Sequence, residues 1–121
     1  MTLIHNGLAT SVLYFMVIAG VFGLATTLRR RGIDGSYWGI LAIGEVLILA
    51  EAVVGTIMYL GGARPGRPGV HILYGIVAVI TLPAYYALSK GRDDRSAALV
   101  YSLLCFIVAI ISLRSRITGI P

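Results

Sequence analysis

The chain has 121 residues, of which 58% are hydrophobic and 12% charged, with a net charge of +5 at pH 7. Soluble domains average about 45–50% apolar and about 25% charged residues, and one this small leaves too much surface in water to hide such an excess. A mean hydropathy of +0.91 therefore excludes an ordinary soluble fold and a disordered chain, and points to lipid as the solvent.

Four apolar runs, taken in chain order, are long enough to cross a bilayer as helices, which takes roughly 17–25 residues each. They cover 7–28, 37–60, 69–89 and 96–113. No basic residue precedes the first run and Arg29, Arg30 and Arg31 follow it, the reverse of a secretory signal, so it is expected to be a retained helix. The second run holds Glu45 and Glu51, the third holds Pro83, and the fourth holds the single cysteine, Cys105. One cysteine excludes an internal disulfide and any multi-cysteine metal centre, and its apolar surroundings make it a small core residue. Ser36 is the expected cap of the second helix, and Asp93 or Asp94 of the fourth. The Gly61–Gly62 pair and the Pro-Gly stretch 64–69 cannot continue a helix. Short polar joints make sequential helices antiparallel neighbours. The predicted fold is all-α, a single integral membrane domain built as an up-down-up-down four-helix bundle.

The basic residues lie between apolar runs, so they act as orientation signals and anionic-lipid contacts, not as a nucleic-acid surface. Arg29, Arg30, Arg31, Lys90, Arg92 and Arg95 flank one side, and Arg64, Arg67, Arg114 and Arg116 the other. That bias places both termini outside the cytoplasm, in a membrane read as the bacterial cytoplasmic membrane. Tyr37, Trp38, Tyr85, Tyr86 and Tyr101 then form a belt at the cytoplasmic level, with Tyr59 and Tyr74 nearer the other face. Ala19, Gly23 and Thr27 recur every four residues, as do Gly35 and Gly39, giving faces on which helices of the same chain, a second copy or other membrane subunits can pack closely.

Polar residues at depth carry the functional signal. A charge at the bilayer centre costs about 2.5–3.5 kcal/mol on insertion scales, so an acid there faces the bundle, finds a partner or is protonated. Glu51 lies roughly 14 Å below the end of the second run, near the midplane, level with Thr81, Ser102 and Cys105 and out of reach of any basic residue. It is expected to be protonated, or hydrogen-bonded to a ligand or water. Glu45 lies about 12 Å from the cytoplasmic edge, where Arg95 or Lys90 can snorkel toward it. Each acid reads either as a polar anchor between helices or as part of a proton or ion path.

His5 and His71 open the first and third helices on the same side of the membrane. In an up-down bundle those helices face each other diagonally, so two neutral imidazoles at one depth have the disposition of bis-histidine haem ligands. Gly75 and Ala9, one turn below, leave room for a flat macrocycle, and Arg64, Arg67, Arg114 and Arg116 can pair with its propionates. Without a Cys-x-x-Cys-His motif the haem would be non-covalent, haem b. Two other readings stay open: amphipathic interface residues at helix starts, and a quinone-type pocket with His71 or Tyr74 as donor and Glu51 below. Nothing supplies a nucleophile set, a P-loop or a hydrolase elbow, so no stand-alone enzymatic reaction is assigned.

The stretch Arg67-Pro68-Gly69-Val70-His71-Ile72-Leu73-Tyr74-Gly75, followed by Leu82-Pro83-Ala84, Gly91-Arg92-Asp93-Asp94-Arg95 and residues 114–119, resembles uncharacterised four-span membrane proteins of bacteria over most of the chain. Histidines at helix ends are also similar to those of small b-type membrane cytochromes. That likeness implies one haem near one face, carried over only at His71. A terminal His5 and the lack of a second histidine pair depart from the cytochrome pattern and argue against a two-haem path across the membrane. The leading expectation is a haem-binding electron-transfer protein or subunit of a respiratory or photosynthetic membrane complex. The alternatives are a non-catalytic accessory subunit and a small proton-coupled transporter using Glu51.

Overall fold

A computed structural model describes residues 2–62 and 68–118, with the side chains of Thr2, Ile117 and Thr118 left aside. It is all-helical, with α1 Thr2–Leu28, α2 Gly35–Leu60, α3 Pro68–Ser89 and α4 Arg95–Thr118. All four are long and apolar enough to cross a membrane. Two ends differ from the apolar runs by more than two residues: α1 begins five residues before Gly7, and α4 continues five beyond Leu113. His5, Arg114 and Arg116 therefore all sit on helix.

The helix ends follow local chemistry. Asp34 caps α2, its carboxylate accepting from the Tyr37 N–H at 2.9 Å. That corrects the expected Ser36 cap: helix starts at Gly35, so the capping position falls one residue earlier. Asp94 caps α4 through the Ala97 N–H at 2.8 Å, as expected of one of the two aspartates. Arg30 and Lys90 follow α1 and α3 in left-handed backbone, and Gly91 and Gly62 also have positive φ. Gly61 closes α2 by donating to Ile57 O. Pro68 opens α3 where its missing N–H costs nothing. Pro83 lies inside α3 and removes the donor that Val79 O would otherwise accept.

Packing is uneven. The most extensive contact is α1 on α4; α1 also packs on α2 and α3 on α4, while α3 barely meets α2. Ala97, Ala98, Tyr101, Cys105, Val108 and Ala109 form a buried stripe on α4 that meets Val12, Met16 and Ala19 of α1. These positions step by three or four residues, the spacing of one helix face. The Ala19–Gly23–Thr27 stripe faces this seam: Ala19 and Thr27 are buried, and a Cβ at Gly23 would meet Tyr37 Oη and Ser102. Ser102 Oγ donates to Gly20 O at 2.6 Å across the same contact. Gly39, by contrast, faces open space.

The close approach makes room for rings, and it corrects part of the aromatic belt. Tyr37 is 0% exposed and Tyr101 1%. Both are core residues, and Tyr37 Oη donates to Ala98 O at 2.7 Å. The opposite faces of the helices are apolar and outward, with Leu3, Ile18, Leu28, Leu60, Leu88 and Ile110 among the most exposed side chains. The α1–α2 and α3–α4 joints meet: Ile33 N–H donates to Asp93 O at 2.7 Å and Arg95 Nε to Thr27 O at 2.8 Å.

Candidate functional site

At the end away from those joints, α1, α2, α3 and α4 bring together His5, Glu51, His71 and Ser115. The α1–α2 pairing sets the first contact. Gly44 packs on Met16, and further along the two helices Gly55 packs on His5, where a Cβ would stand 3.1 Å from His5 Cε1. Glu51, one turn from Gly55, reaches the same imidazole, with Oε1 at 2.6 Å from His5 Nδ1. The contact has ion-pair distance, although the carboxylate lies off the ring N–H direction and does not form an aligned hydrogen bond. This overturns the expectation that no basic residue reaches Glu51. Because α1 starts at Thr2, His5 lies in the first turn of the helix and not before it.

His71 is held from the other side. Its Nδ1 lies 2.9 Å from Ser115 O and 3.2 Å from Ser115 Oγ. Ser115 is in the last turn of α4, where carbonyls lack a helical donor and take one from outside the helix. A carbonyl only accepts, so the contact with Ser115 O is a hydrogen bond when the proton of His71 is on Nδ1. The two imidazole centroids are 6.3 Å apart with planes inclined at 67°.

His5 and His71 are the residues that would hold a haem here, and their spacing can be compared with what one ion between two imidazoles would need. Metal–imidazole bonds of about 2 Å on either side of one ion put the ring centres roughly 6 Å apart. An oxygen behind Nδ1 is the usual support for a ligating imidazole, fixing its tautomer and ring orientation. Gly75 has open space where a Cβ would project, and Tyr74 beside it is half-buried. Arg116 Nη2 donates to Thr10 Oγ1 at 2.7 Å, and Arg114 is exposed. Arg64 and Arg67, the other expected propionate partners, lie outside the described residues. Among the described residues no three His, Cys, Asp or Glu side chains converge as a metal cluster.

Sequence reasoning missed Ser115 and Gly55. Gly55 carried a signal, standing one helical turn from Glu51. Ser115 carried none, because its shorter contact with His71 is made by its backbone carbonyl.

Glu45 lies apart from this site. Both its oxygens are buried and meet no hydrogen-bond partner among the described residues. Arg95, one of its two expected partners, instead bonds Thr27 O at 2.8 Å across the α1–α4 contact. Glu45 instead borders a groove with Trp38, Leu82, Pro83, Tyr86 and Tyr101. The centroids of Tyr86 and Tyr101 lie 5.7 and 5.5 Å from that of Trp38. No protein-family model, curated protein or solved structure matches the chain.

Proposed function

We propose that this chain is an up-down-up-down four-helix bundle of the bacterial cytoplasmic membrane that holds one haem b between His5 and His71 and passes electrons at that face. One observation carries the reading: two imidazoles at 6.3 Å, each with Nδ1 against an oxygen of a different helix. Haem supplies the one-electron chemistry. The chain supplies the ligand nitrogens, the oxygens that orient them, space at Gly75, and Arg114 and Arg116 for the propionates. With both termini outside the cytoplasm, the site lies at the outer leaflet. Electrons then exchange with a partner at that surface, since the opposite end of the bundle has no histidine. The apolar outer faces supply the contact with lipid, with other membrane subunits or with a second copy.

Protein produced with ample haem is expected to purify with a Soret band that His71→Ala and His5→Ala each abolish. A colourless preparation overturns the reading. The contact of Glu51 with His5 favours a runner-up in that event, proton-coupled transport through Glu51. Flux into proteoliposomes that is unchanged by Glu51→Gln rejects it.

A further inference from the structure

We propose that Glu45 and the aromatic walls beside it form a second binding site, at the opposite end of the molecule from the histidines, which takes a small organic ammonium ion. Its floor is a carboxylate whose two oxygens are buried without a hydrogen-bond partner among the described residues. A buried carboxylate left unpaired is among the costliest groups a protein can hold, and an arriving cation supplies the missing attraction. Among the described residues no basic side chain lines the groove, so none of them competes for that position.

The walls decide which cation. Trp38, Tyr86 and Tyr101 come from α2, α3 and α4, and the rings of Tyr86 and Tyr101 each pack edge-on against Trp38 with centroids within 6 Å of its own. Aromatic faces attract a poorly hydrated ammonium or quaternary ammonium group. A calcium or magnesium ion instead requires about six or more oxygens, which one carboxylate does not provide. Leu82 and Pro83 complete an apolar side suited to alkyl substituents. The cavity volume of about 240 Å³ is below the roughly 300–1,000 Å³ of sites for drug-sized molecules, so the occupant is a small ion. A free amine and the headgroup of an ethanolamine lipid share this chemistry.

Trp38 is the only tryptophan in the chain, so its emission reports on the groove directly. Tetraethylammonium chloride is titrated into the full chain in phosphatidylglycerol nanodiscs, with sodium chloride at matched ionic strength as the control. The expected result is a saturable change in Trp38 emission for the ammonium salt only. The midpoint is expected to rise at least tenfold in Glu45→Gln and several-fold in Tyr86→Leu, whose ring is largely exposed and whose loss leaves the core intact. Phosphatidylethanolamine that competes with the probe assigns the site to a lipid headgroup, and a midpoint unmoved by that lipid assigns it to a free amine. A non-saturating response, an equal response to sodium, or an unchanged midpoint in both variants overturns the proposal. Haem content is expected to be the same in all three proteins, so this test is independent of the histidine site.

Discussion

A Cβ at Gly23 would meet Tyr37 Oη and stand 2.9 Å from Ser102 Cβ, whereas one at Gly75 meets nothing within 4 Å. Alanine in a helix is favoured over glycine by about 0.8–1 kcal/mol, so propensity alone treats the two sites alike. Packing separates them. Gly23→Ala is expected to destabilise the protein by about 1–3 kcal/mol, because the Tyr37 hydroxyl must give up its bond to Ala98 O. Gly75→Ala is expected to be neutral or stabilising. Thermal unfolding in detergent, followed by circular dichroism, distinguishes the two. At the histidine site a bulkier change has a different readout. Gly75→Leu keeps the fold, since the space is open, but is expected to lower haem content severalfold. Unaltered haem content in that variant removes Gly75 from the site.

The caps are properties of the elements. Losing the Asp34 carboxylate from the start of α2 is expected to cost about 1 kcal/mol in Asp34→Ala, measured as a fall in Tm. Asp94 carries a pH signature as well. A hydrogen bond from Arg92 at 2.6 Å, and a second from the Ala97 N–H, hold its carboxyl below the ordinary carboxylate value. Because the folded-state value is depressed, the contribution is present above the unfolded carboxylate range, near about pH 4, and is lost as pH falls through the folded value. The Tm difference between the native protein and Asp94→Ala is therefore expected to be larger at pH 7 than at pH 3. A difference that is constant with pH excludes the ionised carboxylate as its source.

For the molecule as a whole, the decisive quantity is apolar surface. Large aliphatic side chains cover the outside of every helix, and the buried core is narrow. Water does not tolerate that arrangement, since soluble monomers rarely expose contiguous apolar patches of more than a few hundred Å². The protein is expected to remain in the membrane pellet after an alkaline carbonate wash. Release into the supernatant overturns the membrane reading. Because His5 and His71 lie at one end, single cysteines introduced at Asn6 and Gly69 in a Cys105→Ser background are expected to react from the same face of a sealed vesicle. Labelling from opposite faces contradicts the bundle.

Local sequence determined the helices. Apolar runs, an aspartate before each even-numbered helix, and glycine or proline at the breaks are short-range signals, and the helix limits follow them except at the start of α1 and the end of α4, which run five residues past their apolar runs. The burial of Cys105 was legible from its apolar surroundings, and the Ala19–Gly23–Thr27 stripe as a face for close packing, which the structure turns inward. What tertiary structure alone decided was which side chains meet. A stagger of one turn, about 5.4 Å, moves every contact between two helices by three or four residues. That stagger is set by packing along a whole seam, here by small residues of α1 and α4 closing on Tyr37 and Tyr101. So Glu51 found His5 where the sequence offered it no base, Arg95 went to Thr27, and His71 found a backbone carbonyl that no side-chain pattern records.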